Sequence, residues 1–394
     1  MTTTEQIIDS DTHVVEKPDT WTSRLPSSWG DQVMHMVHDS DRGLDIWKIG
    51  DQQVAFGWPN AYYQADCPTP KEKRYPPTQE QVHPACYDAA SRVEVMDRWG
   101  VESMVLFPNS TGFSLEPFLT HPDPEIGFAH ISAYNDFLIE EWVDAAPGRF
   151  IPMAAIAYWD VPRAVKEIER IATMGFGGVV TTGAPHLHDQ PFLRDPHWDP
   201  LWAACQEAGL PIAFHVGNGD TSAHLPEELT SQESNDILET RVSTSIYLDN
   251  ARQTTELLLS GILVRFPELQ FIISESGIGW VPFVLENCDH RFTKQRFTEL
   301  GGMLPSELFR RQVSVNFFFE RLTDWHVERI GAERILIQTD LPHPTGFYWG
   351  GSDDFVNDAL EPAVGALDAE TRRKVLWENG ARLFAQAFEQ QRAR

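Results

Sequence analysis

The stretch "IIDSDTHVVE", residues 7–16, places polar side chains at the end of an apolar, β-branched run. β-Branched residues favour strands, so this run predicts a first strand over residues 6–11. Asp11 and His13 stand two residues apart, and on a strand such side chains point to the same face. Burying a carboxylate costs free energy unless it is paired or binds a metal. The stretch therefore predicts a strand that ends in a functional site.

Seven further apolar runs have the same character, and segments of helical pattern separate them. The runs span residues 103–108, 151–158, 177–183, 211–216, 270–276, 313–319 and 334–340. Each is almost continuously apolar rather than alternating, which is typical of a parallel sheet covered on both faces. Eight strands that alternate with helices predict the α/β class and a (β/α)8 TIM barrel.

Two long segments exceed what a minimal barrel needs. The chain has 394 residues, which is within the range of one barrel with insertions. Residues 17–84 and 217–260 each follow a predicted strand, so we expect both at the C-terminal face, where barrel active sites lie. We interpret them as lid or subunit-contact insertions in a single domain over residues 1–394.

The composition excludes several classes of partner. The chain has 31 Lys and Arg and 58 Asp and Glu, for a formal charge of −27. So acidic a surface repels nucleic acid and anionic lipid, which leaves a small molecule as the expected substrate. The four cysteines lack metal-binding spacings and are expected as reduced thiols of a cytoplasmic protein. Neither a signal peptide nor an apolar run of membrane-spanning length is recognised.

Two more polar residues end predicted strands. His215 ends the fifth run in "FHVGNG", and Asp340 ends the eighth in "QTDLPHP". A barrel brings the ends of its strands to one mouth, so these residues should meet Asp11 and His13 there. Each motif alone is more often a cap, a turn or a hydrogen-bonded core residue. Together they form a mixed nitrogen and oxygen ligand set, and they predict one site for a divalent metal.

Longer stretches carry a family resemblance. They are "DSDTHVVE", "RVEVMDRWGVESMVLFP", "HDQPFLRDPHWDPLWAACQEAGLPIAFHVGNG", "SESGIGWVPFVLENCDHRF" and "TDLPHP". The chain resembles the amidohydrolase superfamily, in the branch of aminocarboxymuconate semialdehyde decarboxylase and the related nonoxidative aromatic acid decarboxylases. The resemblance implies a distorted barrel with one divalent metal ion, zinc or manganese, with iron also compatible with the ligands. By resemblance these ligands are Asp11, His13, His215 and Asp340.

The resemblance further implies a homodimer or higher homo-oligomer. The Trp-rich first insertion favours the same expectation, because exposed aromatic patches usually mark contact surfaces.

Two departures from the family pattern bear on the reaction. The segment "VVTTGAPH" lacks the bridging lysine of the binuclear members, which favours one metal. In "SESG", Glu275 stands where the decarboxylases usually carry a histidine. A carboxylate there repels a substrate carboxylate by about 4 kcal/mol at 4 Å with an effective dielectric near 20. Protonation of Glu275, or its orientation toward a helix N-terminus, would remove this repulsion.

Three functions are compatible with these residues. The first is decarboxylation of a carboxylated aromatic or enol-like molecule, with a proton from Asp340 replacing the carboxylate. The second is hydrolysis of a lactone, amide, ester or C–C bond in a small cyclic metabolite by metal-activated water. The third is a non-catalytic binding barrel, which should purify without stoichiometric metal. Catalytic candidates are Asp340, His215, Glu275 and His290, and substrate-binding candidates are Arg74, His188, Trp280 and His343.

Overall fold

The polypeptide folds into a nearly closed barrel of eight parallel strands with helices around it. The computed structural model describes residues 5–54, 76–112, 114–219, 235–295, 300–317, 319–343, 346 and 355–394. In chain order, which is also the order around the barrel, the strands are Ile8–His13, Ser103–Phe107, Phe150–Ala155, Gly178–Thr181, Ile212–His215, Phe271–Ser274, Val313–Phe317 and Ile335–Ile337. The predicted (β/α)8 TIM barrel is confirmed.

The first and last strands meet at the end of the barrel where both sequences become polar. The backbone N–H of Asp340 donates to the carbonyl of Asp11 at 3.0 Å, and that of His13 donates to Leu341 at 2.7 Å. The hydroxyl of Ser10 also donates to the carbonyl of Ile337 at 2.6 Å. These bonds set the "DSDTH" and "TDLPH" segments side by side.

Apolar side chains fill the barrel interior, and they explain why the strands are so continuously apolar. Val105, Met153, Val180 and Ile272 belong to one buried cluster that also contains Phe384 of the C-terminal region. The helix Ala385–Ala393 lies across the N-terminal ends of the strands. Its Gln391, for example, donates to the carbonyl of Phe150 at 2.9 Å. The C-terminal ends of the strands are therefore the end where a site can form.

The other α-helices lie around the barrel. None of those in the described ranges has both the length and the apolar character required to cross a bilayer. Their bounds are Ala89–Trp99, Glu116–Leu119, Pro124–Leu138, Val161–Ile171, Asp199–Glu207, Asn235–Leu259, Ile262–Arg265, Val281–Gln295, Pro305–Gln312, Asp324–Ile330, Glu361–Val364, Ala369–Arg373, Asn379–Leu383 and Ala385–Ala393.

The first insertion contains a small antiparallel sheet of three strands, His35–Asp39, Leu44–Ile49 and Gln52–Gln53. Trp21 and Trp47 are fully buried beside it, with ring centroids 5.4 Å apart and planes nearly perpendicular. The expectation that tryptophans of this insertion are exposed is wrong for these two, because they form the core that joins the insertion to the barrel. The expected homo-oligomer gains no support from them and stays a prediction.

His130 of the helix Pro124–Leu138 connects this helix to the first insertion. Its ring is fully buried, and Nδ1 donates to the carbonyl of Ile126 at 2.7 Å. Nε2 accepts a hydrogen bond from the backbone N–H of Met34 at 2.9 Å. Burial lowers the pKa of His130 from 6.5 to about 4. The neutral ring is therefore the form that the fold requires.

We expect acid to destabilise the protein partly through His130. Because the folded pKa is lowered, its contribution to stability is present above pH 6.5 and is lost as the pH falls toward 4. Between pH 7.5 and pH 5 the loss is about 2 kcal/mol. Urea unfolding should show that wild type loses about this much more stability than His130→Gln, whose side-chain oxygen still accepts from Met34. Equal losses in the two proteins would contradict this assignment.

Candidate metal centre

The first strand brings Asp11 and His13 to the open end of the barrel, where both are fully buried. Its pairing with the second barrel strand shifts register between Asp9 and Thr12. Such irregularities bend a strand and re-aim its side chains near active sites. The backbone N–H of Thr339 donates to the Asp9 carboxylate at 2.9 Å, which secures the bend against the last strand.

His215 ends the fifth barrel strand, Asp340 follows the eighth by three residues, and both meet this first pair. Asp11 Oδ2 lies 3.4 Å from His215 Nε2, and Asp11 Oδ1 lies 3.5 Å from His13 Nε2. Asp340 Oδ1 lies 3.4 Å from His13 Nε2. Ligand atoms at about 2.1 Å from one tetrahedral ion are about 3.4 Å from each other. The structure thus groups Asp11, His13 and His215 at spacings that suit an ion, and Asp340 joins this group through His13.

The two imidazoles turn their Nε2 atoms toward the cluster. His13 Nδ1 lies 2.9 Å from the carbonyl oxygen of Pro108, and His215 Nδ1 lies 3.1 Å from that of Val216. A ring nitrogen that faces a carbonyl carries a hydrogen and donates it. This leaves the lone pair on Nε2, as in metal-binding histidines whose other nitrogen is held by a carbonyl.

The electrostatics of the cluster also fit a cation. Both carboxylate oxygens of Asp11 are buried, and neither accepts a hydrogen bond from any described residue. Burial raises the pKa of Asp11 well above its ordinary value, and the charge of Asp340 adds to this. Burial lowers the pKa of His13, but bonds to Asp340 and Glu275 outweigh it and raise the pKa to about 10. A divalent ion would offset the buried negative charge in place of these protons.

Glu275 points into the same cluster. Its Oε2 lies 3.4 Å from His215 Nε2 and 3.8 Å from His13 Nε2. Burial raises the pKa of Glu275 to about 7, and the charge of Asp340 adds to the effect. Its proximity to two imidazoles makes the suggested orientation toward a helix N-terminus wrong. Glu275 and Asp340 also share left-handed backbone angles, with φ values of 54° and 60°.

His343 completes the cluster from the loop after the last strand. Its ring stacks on His13 at a centroid distance of 4.0 Å, and its Nδ1 lies 2.9 Å from Asp340 Oδ1. Its Nε2 lies 3.2 Å from the side-chain oxygen of Asn109. The loop that carries Asn109 is held in turn by buried Glu16, which accepts from the backbone N–H groups of Asn109 and Ser110. His343 thus orients Asp340.

Arg92 is a second support that our sequence reasoning missed, together with Asn109 and Glu16. It is fully buried on the helix Ala89–Trp99 and donates to the carbonyl of His13 at 2.8 Å. Its spacing offered a signal, because Arg92 lies on the same helix stripe as buried Val95 and Met96. An arginine on an apolar stripe indicates a buried polar partner.

The remaining predicted site residues are His290, His188, Trp280 and Arg74. His290 is exposed on the helix Val281–Gln295, nine residues or about 13 Å along the axis from its first turn. The structure therefore does not bring His290 to the cluster. His188 follows the fourth strand and approaches Tyr158, with ring centroids 6.2 Å apart. Trp280 is half-buried and donates to the carbonyl of Ser276 at 3.2 Å. Arg74 lies outside the described residues.

A parallel barrel with buried imidazoles and carboxylates that could hold a metal at the ends of its strands defines a class, the (β/α)8 barrels with a candidate metal site. The family follows from the sequence match. The family model described as Amidohydrolase matches residues 8–386, so the chain belongs to this family. The implied superfamily is thereby confirmed.

Solved structures share the fold. An amidohydrolase from Mycobacterium avium subsp. paratuberculosis K-10 is 23% identical, with a TM-score of 0.76 over 96% of this chain and 99% of that chain. The 2,6-dihydroxybenzoate decarboxylase from Rhizobium is 20% identical, with a TM-score of 0.62 over 97% and 99%. A dihydroxybenzoic acid decarboxylase from Polaromonas sp. JS666, with bound manganese and the inhibitor 2-nitroresorcinol, is 20% identical, with a TM-score of 0.61 over 97% of each chain.

Proposed function

We propose that this protein is a metal-dependent nonoxidative decarboxylase of a small carboxylated aromatic or enol-like molecule. The observation that carries the proposal is the buried cluster at the barrel mouth in a chain of the amidohydrolase family. The fold that it shares with dihydroxybenzoate decarboxylases supports the choice of reaction. One divalent ion, manganese, zinc or iron, would be held by Asp11, His13, His215 and Asp340.

A divalent ion held by Asp11, His13, His215 and Asp340 would act as a Lewis acid that stabilises negative charge as carbon dioxide leaves. In this proposal Asp340 accepts the proton of the substrate hydroxyl and delivers it to the ring carbon. The bond to the carboxylate carbon then breaks, its electron pair stays with the ring, and solvent reprotonates the product oxygen. His343, at 2.9 Å from Asp340, keeps the carboxylate oriented for both transfers.

The walls of the pocket would supply substrate specificity. Trp280 follows the sixth strand and would offer an aromatic face to the substrate ring. His188 and His343 would donate or accept hydrogen bonds at its polar substituents. Arg74 is the proposed clamp for a carboxylate, because a guanidinium binds a carboxylate through two parallel hydrogen bonds.

Hydrolysis of a lactone, amide, ester or C–C bond is the second candidate, and Glu275 favours it. Its buried carboxylate lies in the cluster, where it would oppose a substrate carboxylate but would tolerate a neutral carbonyl compound. Asp340 or Glu275 would then act as the base that takes a proton from attacking water.

One incubation distinguishes the two reactions. Metal-loaded enzyme is mixed with hydroxybenzoates, lactones and amides in oxygen-18 water, and the products are analysed by mass spectrometry. We expect carbon dioxide release and no label in the organic product, because decarboxylation forms a C–H bond where the carboxylate stood. Label in a product carboxylate would make hydrolysis the function. Protein that purifies without stoichiometric metal and, after metal is added, turns over none of these compounds would favour the binding barrel.

A further inference from the structure

Glu275 occupies a position that the four-ligand site does not explain. It follows the strand Phe271–Ser274 directly and is almost fully buried. Its φ of 54° is uncommon for a residue with a Cβ atom. Such conformations persist where the surrounding structure holds them, and they concentrate at functional sites. A buried acid in such a conformation needs a specific reason.

Hydrogen bonds to two other parts of the barrel hold Glu275 and the residue before it. Its N–H donates to the side-chain oxygen of Gln338 at 3.2 Å, and Gln338 lies two residues before Asp340. The carbonyl of Ser274 accepts from the N–H of Val216 at 3.2 Å and from the side chain of Asn250 at 3.0 Å. Glu275 is therefore placed relative to both the His215 and the Asp340 strand ends.

The spacing of the Glu275 carboxylate matches that of the proposed ligands. Its Oε2 lies 3.4 Å from His215 Nε2, the same separation as Asp11 Oδ2 from that nitrogen. Glu275 Oε2 also lies 3.8 Å from His13 Nε2. This is slightly farther than Asp340 Oδ1, which lies 3.4 Å from the same nitrogen. Glu275 thus lies as close to His215 as Asp11 does, and it shares a group of possible metal ligands around His13 with Asp340.

We infer that Glu275 is a further ligand of the same ion, which is then held by three carboxylates and two imidazoles. The inference rests on the proposed metal-dependent function and deepens it. Four ligands suffice for zinc in its preferred tetrahedral geometry. A five-ligand set rich in oxygen favours manganese or iron, which accept more ligands of this kind. In this interpretation, Glu275 of "SESG", which stands where the decarboxylases usually carry a histidine, changes which metal the site prefers.

Ligation also reduces the electrostatic objection to an acidic substrate, because a divalent ion offsets most of the charge of the carboxylates around it. The Glu275 carboxylate that binds the ion directs its charge at a cation rather than at the substrate. A six-coordinate ion held by these five ligands would keep one position open for a substrate oxygen.

Metal affinity tests the inference without reference to activity. Dissociation constants for manganese and zinc are measured by competition with a chromophoric chelator for wild type, Glu275→Gln and Glu275→His. The control is Glu286→Gln, since Glu286 is exposed on the helix Val281–Gln295. We expect Glu275→Gln to weaken manganese binding by about 100-fold and zinc binding by about tenfold. Loss of a residue that supports the ligands of a metal site typically lowers metal affinity by about 10- to 100-fold. Glu275→His should reverse the preference toward zinc.

The outcomes separate the inference from the proposed function. Unchanged affinities in Glu275→Gln overturn the ligand assignment and leave the four-ligand site intact. Wild-type protein that binds neither ion overturns the metal-dependent function itself and the inference with it. A crystal structure of manganese-loaded wild type keeps the test decisive if a variant does not fold. Glu275 within bonding distance of the ion supports the inference, and Glu275 outside that distance overturns it.

Discussion

His215→Ala is expected to lose bound metal and catalytic activity together. His215 is fully buried at the end of the fifth strand, and its Nε2 lies 3.4 Å from carboxylate oxygens of both Asp11 and Glu275. Removing this imidazole takes away one of the two proposed nitrogen ligands and leaves the carboxylates of Asp11 and Glu275 without a group between them. We expect the metal affinity to fall on the order of 100-fold or more, because even groups that only support ligands contribute 10- to 100-fold.

Elemental mass spectrometry of the purified proteins, together with kcat/KM at saturating manganese, measures both effects. His197→Ala is the matched control, since His197 is an exposed histidine on a short 3-10 helix of the same barrel. Wild-type metal content in His215→Ala would show that the ligand assignment is wrong.

Asp340→Asn is expected to abolish most activity while it retains the fold. Asparagine is among the few residues that adopt left-handed backbone angles readily, so it can replace Asp340 at a φ of 60°. Its amide oxygen is a weaker ligand, and its side chain cannot accept and deliver a proton. General acid and base groups contribute about 10²- to 10⁴-fold to rate. We expect kcat to fall by about that factor at saturating metal.

Single-turnover measurements at saturating metal separate this loss from weaker metal binding. Asp41→Asn, in an exposed turn of the first insertion, serves as the control. A variant Asp340→Asn that keeps more than a tenth of wild-type kcat would remove Asp340 from the proton transfer, although it could still be a ligand.

The barrel itself could be predicted from short-range patterns. Each strand is buried on both faces, so it reads as an apolar run that a helix pattern interrupts. The run over residues 211–216, for example, contains the strand Ile212–His215. The antiparallel strands of the first insertion were missed, because their burial is partial and their sequence lacks a clear period.

The four proposed ligands could also be predicted, because each is a polar residue that ends an apolar run. The order of the strands brings these four residues to one end of the barrel. The hydrogen bond from the N–H of Asp340 to the carbonyl of Asp11 joins the first and last strands there. The residues that hold the proposed ligands in place could not be found in this way. Asn109 and Glu16 lie 93 residues apart and meet only because two strands are neighbours.

The sequence by itself determined which residues form strands and which acids and imidazoles end them, since apolar periodicity and strand ends are local properties. Only the tertiary structure decided the direction of Glu275, the stacking of His343 on His13 and the exposure of His290. These features depend on positive φ angles, on loop paths and on contacts between segments far apart in the chain. A side chain in a loop can point toward or away from a site at similar local cost, and its neighbours in space select one direction.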